Sequence, residues 1–160
     1  MTRPERLHPR AGSKTRLRLW LRVLKVSRLV EAELRERLRT RYDTTLPRFD
    51  VMAALHRAPE GLKMSALSGV LRVSNGNVTG IVERLVSDGL VVRVPVAGDR
   101  RATLVRLSER GEQHFAELAQ AHEAWVDELL GTLSAAEAAD LVDKLQAVGE
   151  RLERGSHVNA

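Results

Sequence analysis

Cysteine is absent from this 160-residue sequence, which excludes a disulfide framework, a cysteine-ligated zinc site and thiol-based redox sensing. Aromatic residues make up only 3% of it, so aliphatic side chains must form the core, with Trp20 and Trp125 as the large exceptions. Long apolar runs are also missing, since none approaches the roughly 20 residues of a membrane span. We therefore expect a cytoplasmic protein with one compact domain, or with one small domain and helical extensions.

Signatures of catalysis are absent as well. The sequence holds no nucleophile–base arrangement and no glycine-rich phosphate loop. Its five histidines are too scattered to predict a metal site: His8, His56, His114, His122 and His157. Although His114 and His122 would share one helix face, no third ligand accompanies them. We predict a protein that is not an enzyme and that needs neither a cofactor nor a metal.

Charge is unevenly distributed along the chain, whose formal net charge is +5. Residues 1–28 hold nine Lys or Arg residues and one acid, whereas residues 109–154 hold four bases and eleven acids. A basic front and an acidic rear predict that one face of the protein binds a polyanion while another is kept away from it.

The first segment, 1–13, combines Pro, Gly and charged residues and predicts a flexible basic arm. A long helix is expected from Lys14 to about Arg41, because this stretch lacks Gly and Pro and its apolar residues recur at helical spacing. Its main stripe consists of Leu19, Val23, Val26, Val30, Leu34 and Leu38. Such a helix is too long and too apolar for a small domain to cover, so it indicates a partner.

Capping, turn and periodicity signals predict shorter elements after this helix. They are a helix capped by Thr45, a short helix Ser65–Leu71 capped by Ser65, a helix from Ser74 or Asn75 to Ser87 ended by Asp88-Gly89, strands Leu90–Val94 and Thr103–Leu107 around a polar loop 95–102, a long helix capped by Ser108, and a last helix starting at the capping box Ser134–Glu137. The fold class is therefore mainly α with a small β-hairpin wing, in the plan of a winged helix-turn-helix with a helical dimerisation region.

The helix that starts at Ser74 or Asn75 has the pattern of a recognition helix. A helix entering the major groove needs small hydrogen-bonding residues on its exposed N-terminal face. Ser74, Asn75, Asn77 and Thr79 supply them, while Val78, Ile81, Val82 and Leu85 face inward at helical spacing. Two glycines on it are poor helix formers, although they would let the backbone approach DNA closely. A surface helix of an ordinary bundle is the alternative interpretation.

The tip of the predicted hairpin carries Asp99-Arg100-Arg101. An acid beside two arginines at a turn can hold a guanidinium outward by an ion pair, and an arginine there can enter a narrow minor groove. A solvated charge cluster is the alternative, which the neighbouring recognition helix disfavours.

The sequence resembles the MarR family of bacterial regulators over roughly residues 15–152. The most similar stretch runs from Gly61 to Gly111, where VSNGNVTGIVERLVSDGLVVR is similar to the family's recognition helix and first wing strand and DRRATLVRLS to its wing signature. The resemblance implies that Asp99 braces the wing, Arg101 enters the minor groove and Arg100 contacts phosphate. Candidate DNA-binding residues are thus Ser74, Asn75, Asn77, Thr79, Arg84, Asp99, Arg100 and Arg101. Gly76 and Gly80 depart from the family pattern, which leaves the operator sequence open.

The resemblance also implies a homodimer that reads an inverted repeat in double-stranded DNA, with the first helix and the last two interleaved with those of the partner. Three regions follow from it: the flexible basic arm 1–13, a helical dimerisation region formed by 14–45 and 109–154, and the winged helix-turn-helix 46–108. The acidic C-terminal helices would lie away from DNA.

A small-molecule switch is a further expectation from the resemblance. Residues 19–55 are similar to regulators of hydroxycinnamate and other aromatic-acid breakdown, some of which sense an aryl-CoA thioester. The candidate ligand-binding residues are Trp20, Arg22, Arg28, Arg48 and His56. Arg48 is the first choice as an anion partner, and its alternative is a pair with Asp50 or a helix end. Trp20 is alternatively part of the core or the dimer interface.

The expected function is sequence-specific transcriptional regulation by a homodimeric repressor that a small aromatic carboxylate or aryl-CoA releases from its operator. Two alternatives stay open: an ungated DNA-binding or architectural protein, and a helical protein that binds a ligand or a partner without touching DNA.

Overall fold

The computed structural model describes residues 10–71, 75–96 and 98–157. In chain order its elements are α1 Ser13–Tyr42, α2 Leu46–His56, β1 Leu62–Lys63, α3 Met64–Leu71, α4 Asn75–Ser87, β2 Val91–Val96, β3 Asp99–Leu107, α5 Glu109–Leu129 and α6 Ala135–His157. This order confirms the predicted class, mainly α with a small winged helix-turn-helix sheet. In these ranges, no helix combines the length and the apolar composition that a bilayer span requires.

The chain divides between His122 and Glu123 into two compact units, and α5 crosses that boundary. The core of the first unit is built from fully buried aliphatic side chains of α1 to α5 and the sheet, among them Leu38, Val51, Met52, Leu55, Leu67, Val78, Val82, Leu85, Val91, Val105 and Leu118. With so few aromatics in the sequence, aliphatic packing carries this core, as the composition predicted.

Helix α1 is buried at one end only. Leu34 and Leu38, near its C-terminus, are 6% and 0% exposed, whereas Leu17, Trp20 and Leu29, closer to its N-terminus, are 57%, 55% and 61% exposed. The apolar stripe predicted along this helix therefore exists, but the described residues bury only its last turns. The exposed part of α1 is an apolar surface of the kind that binds another polypeptide.

Helix α6, in the second unit, has the same property along most of its length. Its outward apolar residues are Leu141, Val142, Leu145, Val148 and Leu152, between 40% and 66% exposed. At their spacing they form one stripe, which confirms the predicted periodicity.

Three predicted helix caps are confirmed. The Thr45 hydroxyl accepts a hydrogen bond from the Arg48 amide at 3.3 Å, and the Ser108 hydroxyl accepts one from the Gly111 amide at 2.9 Å. In the box at Ser134, the Glu137 carboxylate accepts from the Ser134 amide at 2.9 Å, and this bond holds the pKa of Glu137 below its ordinary value. These bonds satisfy amides that have no partner within the helix.

Two elements around the short helix α3 differ from the prediction. The helix begins at Met64, so Ser65 is not its cap. The preceding strand β1 was not predicted; it pairs antiparallel with β3 through Leu62↔Val105 and Lys63↔Leu104. A strand of two residues is too short to show periodicity, and only its distant partner stabilises it.

The wing, defined as β2, the turn residue Gly98 and β3, is longer than predicted. Residues 95, 96 and 99–102 belong to the strands rather than to a loop, with Pro95↔Thr103 and Val96↔Asp99 as the last pairs before the turn. An irregularity in the register lies between Pro95 and Val96. The proline lacks an amide donor and so suggested a loop, but a bulge at that position accommodates it.

Candidate nucleic-acid interface

Helix α4 has one buried face and one polar face. Its fully buried side chains are Val78, Val82 and Leu85. Three of the predicted DNA contacts are exposed on it: Asn77, Thr79 and Arg84. Ser74 lies outside the described residues, as does the side chain of Asn75, the first residue of the helix. The polar face has the composition that a helix in a major groove requires.

Gly76 and Gly80 lie on the same exposed face of α4. A Cβ atom built on either one would meet no other atom within 4 Å. Packing inside the described chain therefore does not require glycine at these positions, and each leaves the backbone accessible from outside.

The wing carries the other predicted contacts. Gly98, at its turn, has φ 85°, a left-handed conformation that glycine adopts readily. Asp99 follows directly and is exposed, whereas the side chains of Arg100 and Arg101 lie outside the described ones. These three residues form the first part of β3, so the prediction that they sit in the loop was wrong.

We define residues 88–90 as the helix–wing junction, because they join α4 to β2. The Leu90 amide donates to the Leu85 carbonyl at 2.9 Å, and the Gly89 amide donates to the Val86 carbonyl at 3.0 Å. With Gly89 at φ 73°, these bonds form a Schellman motif. The predicted glycine stop of α4 is confirmed.

The start of α5 holds this junction from one side. The Ser108 hydroxyl donates to the Gly89 carbonyl at 2.6 Å, and the Ser108 amide donates to the Leu90 carbonyl at 3.0 Å. The Arg110 guanidinium reaches the Asp88 carbonyl at 3.3 Å. The predicted cap Ser108 therefore also ties α5 to the end of α4.

Arg48 holds the junction from α2. Its Nη2 lies 2.5 Å from Oδ2 of Asp88, while its Nε is buried and has no hydrogen-bond partner among the described residues. The alternative interpretation paired Arg48 with Asp50 or a helix end, and the structure shows the second of these, because the side chain bonds to Asp88 at the end of α4. Together with Asn77 and Arg84 it lines a cleft of about 290 Å³. The structure thus places Arg48 beside the candidate DNA-binding residues.

The other predicted ligand residues are not brought together. Trp20, Arg22 and Arg28 are exposed on the first half of α1. His56 Nδ1 lies 2.7 Å from Glu112 Oε2, and its ring is 4.9 Å from that of Phe115. His56 therefore belongs to the contact between α2 and α5.

Sequence reasoning missed Asp88 and Glu112 as partners of the two candidates on α2. Asp88 is separated by 40 residues from Arg48, and Glu112 by 56 from His56. No local spacing connects such pairs, so no signal in a single sequence could have identified them. Asp88 was noticed only as part of the stop signal of α4.

His122 forms a second contact between α2 and α5. Its ring stacks on Phe49, with centroids 4.5 Å apart and planes 19° apart. Burial lowers the pKa of His122, and the charge of Asp50 opposes this shift. Burial in turn raises the pKa of Asp50, with smaller influences from His122, Glu31 and Arg35.

We expect acidification to destabilise the first unit through His122. Because the folded pKa lies below the unfolded one, the unfolded chain binds the proton first, and stability is lost as the pH falls below the ordinary histidine value of about 6.5. His122→Phe keeps a ring against Phe49 but cannot titrate. Its Tm should therefore fall less than that of the wild type between pH 8 and pH 5.5, whereas the control His114→Phe should follow the wild type. Parallel profiles for wild type and His122→Phe would contradict the assignment.

Comparison with known proteins identifies the same fold and family. The MarR family model matches residues 42–102. The crystal structure of a MarR family transcriptional regulator from Silicibacter pomeroyi is similar with a TM-score of 0.73 and 34% identity, covering 89% of this chain and 99% of that one. A MarR mutant from E. coli complexed with operator DNA has a TM-score of 0.71 and 28% identity, covering 87% and 98%.

Curated sequences agree over shorter stretches. The transcriptional activatory protein BadR of Rhodopseudomonas palustris is 31% identical over 113 residues, which cover 69% of this chain and 65% of BadR. The chain spans about half to two thirds of the length of the curated relatives it matches. The solved relative from Silicibacter pomeroyi is matched over nearly its whole length, and the matched proteins are regulators rather than enzymes. The chain therefore belongs to the MarR family of transcriptional regulators.

Proposed function

We propose that the protein is a homodimeric, sequence-specific DNA-binding repressor that places α4 in the major groove and the wing in the adjacent minor groove of operator DNA. The observation that carries this proposal is the exposed polar face of α4, with Asn77, Thr79 and Arg84 outward and Val78, Val82 and Leu85 buried. Amide and hydroxyl groups at the start of such a helix can hydrogen-bond base edges. The E. coli relative crystallised with operator DNA supports the same use of the fold.

The homodimer in this proposal rests on exposed apolar surface. The first half of α1 and the stripe of α6 each expose large aliphatic side chains that the chain leaves in water. Monomeric proteins rarely tolerate apolar patches of this extent. The charges are complementary too, because α1 has no acid before Glu31 whereas α6 carries Glu137, Asp140 and Asp143 in its first turns. A second copy would cover both surfaces and present two recognition helices to an inverted repeat.

The wing is tested by Arg101→Ala. We expect this variant to bind the promoter fragment beside the protein's own gene about 5- to 150-fold more weakly, which corresponds to roughly 1–3 kcal/mol, with its dimerisation unchanged. Fluorescence anisotropy in excess competitor DNA measures the affinity. The matched control is Arg106→Ala, because Arg106 is an exposed arginine further along the same strand. Equal losses in both variants, or none in Arg101→Ala, would remove the wing tip from the mechanism.

Release by a small aromatic acid or its CoA thioester is the finer part of the proposal. A cleft of about 700 Å³ between α1, the start of α2 and α4 supports it, with Arg35, Thr44 and Ile81 among its lining residues. This volume is in the range of small-molecule sites. Trp20, Arg22 and Arg28 would contribute to an effector site only in the dimer. The test is whether benzoate, 4-coumarate or their CoA thioesters dissociate the operator complex at concentrations that raise the Tm of the free protein.

A further inference from the structure

The helix–wing junction determines how α4 is oriented relative to the wing. α4 ends there through the Schellman bonds of Gly89 and Leu90, and β2 begins at the next residue. A small rotation at this point would displace the start of α4, about 18 Å away over its 13 residues, much further than its end. Residues that immobilise the junction therefore control where the polar face of α4 meets DNA.

Two elements hold the junction in the described chain. The α5 contacts are hydrogen bonds to main-chain carbonyls of residues 88–90. The α2 contact is the charged pair between Arg48 and the Asp88 side chain. It connects α2 directly to the last residue before the glycine stop. Arg48 is itself held at its backbone, because its amide bonds to the Thr45 cap.

We propose that Arg48 is a positioning residue for DNA recognition, which sets the orientation of α4 through Asp88. This proposal rests on the proposed function and deepens it, because it assigns a role to a residue that does not read bases. The Arg48 side chain is only 22% exposed, so its surroundings restrict its direction. Its Nη2 donates a hydrogen bond to the Asp88 carboxylate at the end of α4. The guanidinium and the carboxylate form a charge-assisted bond whose direction is defined.

The proposal and simple electrostatics predict opposite changes in operator affinity when Asp88 is neutralised. An acid close to the DNA-binding face repels phosphates, so neutralising Asp88 would strengthen operator binding if charge alone mattered. A freed Arg48 would strengthen it further by reaching a phosphate. Positioning predicts the opposite result, because an unanchored α4 must be ordered when it binds.

The test uses Asp88→Asn, Arg48→Met and the double variant in the full-length protein. We expect each single variant to bind the promoter fragment about tenfold more weakly, and the double variant to be no weaker than the weaker single one, since all three lose the same interaction. Arg48→Lys, which keeps the charge, should restore part of the affinity. The salt dependence of binding should stay unchanged, because no phosphate contact is removed.

Measurements of stability distinguish a loss of α4 positioning from a general loss of folding in these variants. Asp88 is 49% exposed, and such partly exposed pairs contribute little to stability, so Tm should fall by only a few degrees in each variant. Hydrogen exchange of the Leu90 amide, which closes the Schellman motif, should accelerate in both single variants. The control Glu60→Gln, an exposed acid in the turn after α2, should change neither the affinity nor this exchange.

Several results would overturn the proposal. Stronger or unchanged operator binding by Asp88→Asn would show that charge dominates, and a reduced salt slope in Arg48→Met would make Arg48 a direct phosphate contact. Unchanged exchange of the Leu90 amide would show that the pair does not hold the junction. If the wild type bound no DNA, the proposed function would fail, and the exchange measurement would still decide whether Arg48 anchors α4.

Discussion

Leu145→Glu is expected to prevent formation of the proposed dimer and to abolish tight operator binding. Leu145 lies in the middle of the α6 stripe and is 51% exposed in the chain. In a dimer that buries it, the substitution removes a leucine worth about 2 kcal/mol and places a carboxylate in apolar surroundings. An isologous interface contains the change twice, so dimerisation should weaken by at least about 4 kcal/mol, or about 1000-fold.

The loss of operator binding follows from the loss of the dimer. A monomer presents one recognition helix and one wing, so it contacts a single half-site. Sedimentation velocity measures the oligomeric state, and anisotropy on the full promoter fragment measures the affinity. Both readouts should change together, because the mutated residue is not among the candidate DNA contacts.

The matched control is Ala147→Glu on the same helix. Ala147 is exposed and lies about 160° around α6 from Leu145, on the face away from the stripe. It introduces the same carboxylate without touching the apolar surface, so this variant should stay dimeric. A dimeric Leu145→Glu protein with normal operator affinity would contradict the assigned interface.

Gly111→Ala is expected to destabilise the first unit by about 2–4 kcal/mol. Gly111 is buried in the first turn of α5, beside the helix–wing junction. A Cβ atom there would overlap the carbonyl oxygen of Leu90 and stand 2.9 Å from its carbonyl carbon. That oxygen accepts a hydrogen bond from the Ser108 amide, so the backbone can relieve the clash only by breaking the contact between α5 and the junction. Thermal or urea unfolding measures the loss.

Gly80→Ala provides the control for Gly111→Ala. Both glycines lie in helices of the first unit, but a Cβ atom on Gly80 would meet nothing within 4 Å. Alanine favours helix by about 1 kcal/mol over glycine, so Gly80→Ala should leave stability unchanged or raise it. If Gly111→Ala were as stable as the wild type, α5 would not press against the junction as the structure shows.

Helix α4 could be predicted from the sequence almost completely. Val78, Val82 and Leu85 recur at helical spacing, and Asp88-Gly89 supplies the stop. These signals depend on residues four or five positions apart, so they can be recognised without knowledge of the rest of the fold. The strand ends of the wing could not be predicted, because Pro95 argues locally for a loop and only pairing with Thr103 keeps it in a strand.

The partners of the ligand-binding candidates, in contrast, could not be predicted from the sequence. Arg48 and His56 were chosen as polar residues near an expected junction, yet each pairs with a carboxylate far along the chain. A single sequence contains the residue types but not their distances, and distance determines whether an arginine meets a ligand or an aspartate. The exposed side chains of Trp20 and its neighbours on α1 stay predicted contributors to a site that a second copy would complete.

By itself, the sequence determined the helices, the caps at Thr45, Ser108 and Ser134, the hairpin and the polar face of α4, since hydrophobic periodicity and capping bonds are short-range effects. Only the tertiary structure decided that β1 pairs with β3, that Gly111 packs against Leu90, and that Arg48 bonds to Asp88. Each of these contacts joins residues at least 20 positions apart. Their free energy exists only after the elements have packed, which is why no local pattern encodes them.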